Sequence, residues 1–418
     1  SSIYTTLTAI VHTKEYTVQF SKPITFNVSG IQENDHDIIY GYLSQSGGEC
    51  GLNPIPEGAH DFHWSVDCDW EVDMQGYYFT TFSSRNSHEI ERVCVGYRKS
   101  FEKKGYTWEE AQTMAMEYVP YLEKEMPELM EEAKGIAAGA EVELAVVMVL
   151  NTRYELLKFK KGVDNYEHNE CTCYALLPEA TKDHVTIGGQ NWDNAPFVGE
   201  NLYVLHIDEE NGTKIVGISE PAQLIRSGMN SYGISLNCST LLSYKDVRGV
   251  AIPTNFMRRK IMQAKTLDEA KKMIMGFSPC VSLNYVITSA KEQDAIVYET
   301  TPVENFELYP NRGMITQGND ILADPAIDRF IPADKHHQRH FRGQRLQYLL
   351  QKKQGEITKE YLQECLRDHY GYPASICNHA GDDGLQTIAS MLYCVSEGYA
   401  LIAWGNPCEY DYEKYVLE

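Results

Sequence analysis

Cys171 is the residue whose chemistry and position most strongly indicate a function. It opens an apolar run that ends at Leu177, and a polar turn over Glu179 to Asp183 separates this run from Val185 to Ile187. Apolar runs of this length around a polar turn predict two strands, with Cys171 at the start of the first. A thiol attacks as the thiolate, and a free Cys with a pKa of about 8.5 is little ionised at neutral pH. A nucleophilic Cys171 therefore needs a base close by.

The α-amino group of Cys171 itself can be that base. If the chain is cut between Glu170 and Cys171, the new amine has a reference pKa of about 7.7–8.0 and lies on the same residue as the thiol. Thirteen histidines keep an ordinary Cys–His pair open as the alternative, with His168 and His379 as first candidates. The structural interpretation is core packing, because free Cys is among the most buried residue types.

The residues that follow Cys171 form a long and specific pattern. Cys171-Thr172 precedes a Gly188-Gly-Gln-Asn-Trp-Asp193 run on the next predicted strand. This pattern resembles the penicillin (isopenicillin N) acyltransferase-like family of N-terminal-nucleophile (Ntn) cysteine hydrolases. In that family a precursor is cut just before the Cys, which then becomes the catalytic residue. The resemblance implies a cleavage site between Glu170 and Cys171, although Glu170 stands where the family often has a glycine.

The resemblance also implies roles for other residues. Cys171 is the expected nucleophile and its own α-amine the base. Asn319, in the run Arg312-Gly-Met-Ile-Thr-Gln-Gly-Asn319, is expected to bind the oxyanion together with a backbone N–H. Asp193 is expected to orient the Cys171 amine or to take part in self-cleavage. The supporting candidates are Thr172, Asn191 and Arg153.

Two of these residues have structural alternatives. An Asn after a Gly, such as Asn319, is also typical of a turn. Arg153 near the end of a predicted helix is also typical of a cation that interacts with the helix dipole. Further on, Ser375-Ile-Cys-Asn-His379 resembles the family segment S-I-C-R-H. Asn378 replaces the family's Arg there, which leaves the substrate class open.

The resemblance covers about residues 87–418 and implies an α+β fold, a four-layer αββα sandwich of two antiparallel sheets between helix layers. We expect residues 1–86 to be an extra β-rich N-terminal segment, because their apolar residues alternate. Residues 87–170 are expected to be the helical pre-cleavage segment, and residues 171–418 the catalytic segment that begins at the nucleophile. The last two segments would form one Ntn fold.

Arginine and histidine clusters outside this pattern suggest no binding site. Pro253 to Met275 has the periodicity of an amphipathic helix, and we expect Arg258 to Lys260 to form its solvated face. His336, His337 and His340 precede a basic helical stretch, Arg342 to Leu350, and are expected at a solvated helix start.

Composition excludes several function classes. The 418 residues carry a formal net charge of −22, which argues against a nucleic-acid or anionic-membrane surface. The longest apolar runs are too short to span a bilayer, and the first residues lack the features of a signal peptide. Eleven cysteines without a C-x-x-C pair predict free thiols in a reducing compartment and no metal site. We expect a cytoplasmic protein without cofactor, and without an S-K-L-type ending the peroxisome stays only an open alternative.

Two function classes remain open. In the first, the protein moves an acyl group from an amide or thioester, including acyl-CoA, to an amine or to water through a Cys171 thioester. Its processed chains would stay together as a heterodimer. In the second, an unprocessed sandwich binds ligands without turnover. A thioester-using acyltransferase or cyclase of secondary metabolism is a further alternative within the enzyme class.

Overall fold

The computed structural model describes residues 89–159, 161, 171–328, 341–380 and 384–417 in full, and outside these ranges only the backbone of helices and strands. Within the described residues, no helix is long and apolar enough to cross a membrane.

The N-terminal part of the chain forms short strands, in agreement with the β-rich segment predicted from sequence. They are β1 (Ser2–Tyr4), β2 (Ala9–His12), β3 (Glu15–Phe20), β4 (Thr25–Asn27), β5 (Ile38–Ser44), β6 (Gly51–Asn53), β7 (Asp61–Asp67) and β8 (Tyr78–Thr80). Strand β1 pairs with β4, β3 pairs with β2 and β8, and β7 pairs with β5 and β6.

Helices occupy the next part of the chain and recur between later strands. They are α1 (Ser84–Lys103), α2 (Trp108–Met116), α3 (Val119–Glu125), α4 (Pro127–Gly139), α5 (Leu144–Leu157), α6 (Pro196–Gly199), α7 (Thr254–Ile261), α8 (Leu267–Met275), α9 (Ala333–Gln351) and α10 (Lys359–Leu366). Thr107, Thr266 and Thr358 cap α2, α8 and α10 by accepting a backbone N–H with their hydroxyl oxygens, which satisfies donors that the first turn leaves unpaired.

Two antiparallel sheets form the centre of the molecule. Their strands are β9 (Cys171–Leu176), β10 (Ile187–Asn194), β11 (Tyr203–Asp208), β12 (Lys214–Ser219), β13 (Ser227–Asn230), β14 (Ile234–Thr240), β15 (Leu283–Ser289), β16 (Asp294–Thr300), β17 (Asn305–Leu308), β18 (Met314–Gln317), β19 (Gln386–Cys394), β20 (Tyr399–Ala403) and β21 (Glu413–Val416). The first sheet has the order β18-β9-β10-β19-β20-β21, and the second is a meander from β11 to β17.

Three sets of buried side chains define the layers. Between the sheets, Cys173 and Ala175 of β9 pack with Val286 and Val297 of the second sheet. On the outer face of the first sheet, Leu176 and its neighbours pack on α9 and α10. Apolar residues of α1–α5, α7 and α8 share a core with the second sheet. The fold is therefore the four-layer αββα sandwich, and this prediction is confirmed.

The Gly188-Gly189 pair is required by close approach on both faces of β10. A Cβ on Gly188 would lie 2.3 Å from Ser235 Oγ of the second sheet, and one on Gly189 would lie 2.1 Å from the Met391 carbonyl oxygen of β19. No larger side chain fits at either position without moving a strand. Gly188 thus lets the two sheets approach closely, and Gly189 leaves room for the Met391 carbonyl and the Tyr174 side chain within the first sheet. The pairing of Cys171 with Trp192 sets the register of β9 on β10.

The solvated face predicted for Arg258 to Lys260 is wrong for both arginines, which are 3% exposed. Arg259 forms ion pairs with Glu132 of α4 at 3.0 Å and with Glu209 at 2.6 Å. A buried guanidinium needs such partners to offset the loss of hydration. Because both partners come from distant parts of the chain, the local charge pattern could not reveal them.

Candidate active site

Cys171 is the first residue of β9 and is 1% exposed. Side chains alternate along a strand, so Cys171 shares with Cys173 the face that points to the second sheet. Its backbone nitrogen donates a hydrogen bond to Asn319 Oδ1 at 2.7 Å. The nitrogen that would become the α-amine is therefore held by a side chain of the neighbouring chain segment after β18.

Arg226, which precedes β13, is the cation closest to the thiol in the described contacts. Its Nη2 lies 3.9 Å from Cys171 Sγ and donates to the Cys238 carbonyl oxygen at 2.9 Å. Its guanidinium carbon lies 4.7 Å from the centroid of the Trp192 ring. The other terminal nitrogen, Nη1, is buried and has no hydrogen-bond partner in the described part of the chain. Arg226 can therefore both favour a thiolate and offer a free donor in the site.

Burial raises the pKa of the Cys171 thiol, and Arg226 opposes this effect by favouring the thiolate. The Asp193 carboxylate raises the pKa of the thiol, whereas the Asp193 backbone N–H lowers it by hydrogen bonding to sulfur. Because the net direction is upward, the thiol is protonated at neutral pH. Attack by Cys171 thus needs a base that accepts its proton.

Asp193 is fully buried at the end of β10. Thr387 Oγ1 donates to its Oδ1 at 2.7 Å, and Arg342 Nη1 lies 3.4 Å from its Oδ2. Arg342, on α9, also donates through Nη2 to Asn319 Oδ1 at 3.2 Å. A continuous polar chain therefore joins Asp193, Arg342, Asn319 and the Cys171 nitrogen.

Asn319 contacts Cys171 with its side-chain carbonyl oxygen. Its Nδ2 donates to the Thr240 carbonyl oxygen at 2.9 Å. The sequence predicted Asn319 as a donor to the oxyanion, and that role stays a prediction. The observed contact shows a second function that sequence reasoning missed, since Oδ1 orients the Cys171 nitrogen.

The side chains of Thr172 and Asn191 lie on the opposite face of the first sheet from the Cys171 thiol. They face each other across β9 and β10. Asn191 Nδ2 donates to the carbonyl oxygens of Leu366 at 2.9 Å and Ile376 at 2.8 Å. Asn191 therefore fixes the loop after α10 against the first sheet.

Arg153 lies on α5 and forms a buried ion pair with Glu220, which also accepts a hydrogen bond from Tyr97. Its guanidinium carbon is 5.2 Å from the centroid of the Tyr97 ring. Arg153 therefore forms part of the wall of a neighbouring cleft. Its charge is paired with Glu220 and not with the C-terminal end of α5.

This cleft has a volume of about 760 Å³ and lies between α1, α5 and the end of β10. Asn194, which follows Asp193, and Thr240, which accepts from Asn319, are among its lining residues. The cations that line it are Arg92, Lys99, Lys103, Arg153 and Lys158, against one acidic residue, Glu200. Arg153 and Lys158 are paired with the buried carboxylates of Glu220 and Asp246, so the exposed Arg92, Lys99 and Lys103 are the cations that can attract anions to the cleft.

Two buried polar residues of the site, Arg226 and Arg342, were missed from sequence as functional residues. Arg342 was predicted only as the start of a basic helix. Their common signal is a polar residue beside an apolar strand or helix, which is too frequent to identify a site. Glu170, His168 and the side chains of His336, His337 and His340 lie outside the described residues.

The chain is similar in sequence to known acyltransferases. The sequence profile of the family "Acyl-coenzyme A:6-aminopenicillanic acid acyl-transferase" matches residues 180–409. The 40 kDa form of acyl-coenzyme A:6-aminopenicillanic-acid-acyltransferase from Emericella nidulans is 26% identical over 316 residues, which cover 74% of this chain and 84% of the relative.

Solved structures also resemble the chain. A mutant conjugated bile acid hydrolase from Clostridium perfringens shares 14% identity with a TM-score of 0.39, over 59% of this chain and 97% of the other. The N-acylethanolamine-hydrolyzing acid amidase ortholog of Caenorhabditis elegans shares 12% identity with a TM-score of 0.40, over 59% of this chain and 100% of the other.

The family profile spans more than half of the chain, and the Emericella relative extends the match toward the N-terminus. The sequence-based assignment to a family of acyltransferases is confirmed. The chain belongs to the acyl-coenzyme A:6-aminopenicillanic acid acyl-transferase family.

Proposed function

We propose that this protein activates itself by cleavage before Cys171 and then transfers acyl groups through a Cys171 thioester. One observation carries the proposal: the nitrogen and the sulfur of the same buried residue are each held by a separate polar group, Asn319 Oδ1 at 2.7 Å and Arg226 Nη2 at 3.9 Å. A core-filling Cys also needs an acceptor for its backbone N–H, but it does not need a buried guanidinium beside its sulfur.

In the self-cleavage step, the Cys171 thiol attacks the carbonyl carbon of Glu170. The peptide C–N bond breaks, the Cys171 nitrogen takes up the proton, and the Glu170 acyl group moves to sulfur as a thioester. Water then hydrolyses this thioester, which leaves a Glu170 carboxylate and restores the thiol. Asn319, as a hydrogen-bond acceptor, favours the protonated amine that results.

In each turnover, the free Cys171 amine accepts the thiol proton and the thiolate attacks the carbonyl carbon of the acyl donor. The leaving group takes the proton as the tetrahedral intermediate collapses to the thioester. An acceptor amine or water then attacks the thioester, and its proton passes back through the Cys171 amine to sulfur. This cycle needs no imidazole.

The oxyanion of the tetrahedral intermediate needs hydrogen-bond donors. Besides Asn319, two buried donors that have no hydrogen-bond partner among the described residues support this role: Arg226 Nη1 and Asn237 Nδ2. Asn237 shares one face of β14 with Ser235, which approaches Gly188, and with Ser239, which donates to the Gly318 carbonyl oxygen. Its side chain therefore points toward the first sheet, on the side where Cys171 lies.

An acyl-CoA thioester is the acyl donor that fits the cleft best. Arg92, Lys99 and Lys103 lie along one face of α1, are exposed, and form no ion pair with a described residue. Free cations on one face match the phosphates of coenzyme A. The donor named in the Emericella relative, acyl-coenzyme A, is consistent with this charge. Whether water or an amine reaches the thioester decides between hydrolysis and transfer.

We also propose the division predicted from sequence: a β-rich segment at 1–86, a helical pre-cleavage segment at 87–170 and a catalytic segment at 171–418. The two products of cleavage would remain a heterodimer, because α1–α5 share their buried core with the second sheet. The cysteines that the structure describes are all free thiols, which supports a cytoplasmic location.

Intact mass spectrometry combined with acyl trapping tests this function. The wild type should give two chains under denaturing conditions, with the longer one beginning at Cys171. A brief reaction with acyl-CoA thioesters of different chain length should add one acyl group to that chain.

Cys171→Ala should give one chain without adduct, whereas the control Cys173→Ala, on the same face of β9, should behave as the wild type. Turnover by Cys171→Ala would refute the proposal, and a single intact wild-type chain that binds acyl-CoA without turnover would indicate the ligand-binding alternative.

A further inference from the structure

Four potential metal ligands converge at one end of the first sheet, in a cluster that no step of the proposed reaction uses. His369 and the pair Cys377 and His379 belong to the loop between α10 and β19, and Cys408 belongs to the turn after β20. One donor atom from each lies within 4.8 Å of all the others. We propose that this Cys2His2 cluster binds a structural Zn²⁺ ion.

The distances between the donor atoms match the edges of a tetrahedron around zinc. The two sulfurs are 3.5 Å apart, and His379 Nε2 lies 3.6 Å from Cys377 Sγ and 3.4 Å from Cys408 Sγ. The Nε2 atoms of His369 and His379 are 3.1 Å apart. Zn–S bonds of about 2.3 Å and Zn–N bonds of about 2.0–2.1 Å at tetrahedral angles require edges of roughly 3.3–3.8 Å. These four distances reach the required values with shifts of a few tenths of an ångström, and no two of the four donor atoms are more than 4.8 Å apart.

The ligand types select zinc among common metals. Two thiolates with two imidazoles in a tetrahedral arrangement suit Zn²⁺, whereas Mg²⁺ and Ca²⁺ prefer oxygen ligands. Four protein ligands complete the coordination, so the ion has a structural role and no open position for catalysis. Binding releases the two thiol protons to solvent and uses both imidazoles in their neutral form.

Groups around the cluster fit the outer shell of a zinc site. Asn406 Nδ2 lies 3.5 Å from Cys377 Sγ, where it can donate to a thiolate. Glu409 Oε1 lies 3.9 Å from His379 Nδ1, on the opposite edge of the ring from the Nε2 that faces the cluster. A carboxylate behind a ligating imidazole orients the ring and holds its N–H tautomer.

A disulfide between Cys377 and Cys408 is the main alternative. It requires the sulfurs to approach from 3.5 Å to about 2.05 Å. A disulfide would leave unexplained why His369 and His379 both direct Nε2 at each other and at this pair. The two-histidine contribution therefore favours a metal, and the disulfide becomes an outcome of the test.

The zinc ion would also help to position an active-site residue, Asp193, that it does not contact. Asn378, between two of the ligands, donates its backbone N–H to Thr387 Oγ1 at 2.9 Å and accepts the Thr387 N–H at 2.8 Å. Thr387 Oγ1 in turn donates to Asp193. Zinc would fix the loop that holds Thr387 and, through it, the Asp193 carboxylate.

Metal analysis of the whole protein tests the site. Protein purified without a polyhistidine tag should contain one zinc ion per chain, as measured by inductively coupled plasma mass spectrometry. His379→Ala and Cys408→Ser should lose it, whereas Cys280→Ser, which removes a thiol elsewhere, should keep it. Replacement of zinc by Co²⁺ should give the strong visible absorption of a tetrahedral thiolate site in the wild type and in Cys280→Ser alone.

Thiol alkylation keeps the test decisive if a ligand variant fails to fold. In the wild type, Cys377 and Cys408 should resist alkylation until a chelator removes the metal, and added Zn²⁺ should restore the protection. Reduced wild-type protein that carries no zinc and takes up neither Zn²⁺ nor Co²⁺ would overturn the proposal. So would a Cys377–Cys408 disulfide in the purified protein, or zinc that stays bound in both ligand variants.

Discussion

The Cys171 nitrogen donates to Asn319 Oδ1 at 2.7 Å, and the same Oδ1 accepts from Arg342 at 3.2 Å. An amide oxygen that already accepts from a guanidinium is fixed in orientation, so it can only present an acceptor to the nitrogen. The main role of the Asn319 amide group is therefore to orient the Cys171 nitrogen, which is the proposed base. Its contribution to the oxyanion would depend on Nδ2, which donates to Thr240.

Substitution of Asn319 separates these two functions. Asn319→Ala should lower turnover by about two orders of magnitude, as expected for a polar group that acts on the reacting centre, with a smaller effect on self-cleavage. Asn319→Asp keeps the acceptor and removes the Nδ2 donor, so it should retain more activity than Asn319→Ala. Steady-state rates of the processed variants measure this order, and equal losses in both variants would indicate that the donor dominates.

Removal of Arg226 should raise the pKa of the Cys171 thiol further, because this guanidinium is the main group that favours the thiolate. The rate of Cys171 alkylation by iodoacetamide depends on the thiolate fraction. In Arg226→Met the rise in this rate should move to higher pH, and Arg226→Lys should lie between that variant and the wild type. Arg248→Met, which changes a surface cation, is the control. An alkylation profile that does not move would remove Arg226 from the thiol's environment.

The pair of Asp193 and Arg342 should stabilise the fold as well as the site. Both side chains are fully buried at 3.4 Å, and loss of one partner of a buried pair typically costs about 3–5 kcal/mol. Asp193→Asn and Arg342→Met should therefore each lower the free energy of unfolding by that order. The double variant should be less destabilised than the sum of the two. Denaturant unfolding measures this coupling, and strict additivity would contradict it.

The sequence predicts the strand pair at Cys171 well because its determinants are local. Apolar runs, a polar turn and Gly188-Gly189 lie within a short stretch, and the observed strands begin at Cys171 and Ile187. The arginines could not be predicted in the same way. Arg226, Arg259 and Arg342 are buried only because distant segments supply aromatic, amide or carboxylate partners.

The metal ligands illustrate the same limit. His369 and Cys408 are far apart in the chain, and two of the four ligands are histidines, so cysteine spacing alone predicted no metal site. The turn after β20 brings Cys408 to the loop only when the first sheet has formed. A ligand set that depends on tertiary structure has no local signature.

Glu155 should make stability depend on pH. Burial raises the pKa of its carboxyl to about 7, whereas in the unfolded chain it is about 4.3. Between these values the folded state binds more protons, so stability falls as pH rises from about 4 to about 7 and stays lower above it, by roughly 3–4 kcal/mol.

The stability of Glu155→Gln should match that of the wild type near pH 4 and exceed it at pH 8. Thermal unfolding at both values measures the difference, with the exposed Glu117→Gln as control. A variant that is no more stable at pH 8 would contradict the raised pKa.

The identity of the base is tested by the state of the Cys171 nitrogen. Residues 1–170 are produced together with a second chain that begins Met-Cys171, from which initiator Met removal exposes the α-amine without self-cleavage. In a matched form, Leu stands between Met and Cys171, so the nitrogen stays in a peptide bond and cannot accept a proton. We expect activity in the first form and near-total loss in the second, since the proposed cycle has no base other than the Cys171 amine.

Asp193→Asn should impair the first form, because the Asp193–Arg342 pair holds Asn319 against the amine. Rates are compared with the intact mass of each chain. Full activity from the acylated form would refute the amine as base and leave an imidazole, such as that of His168, to accept the thiol proton.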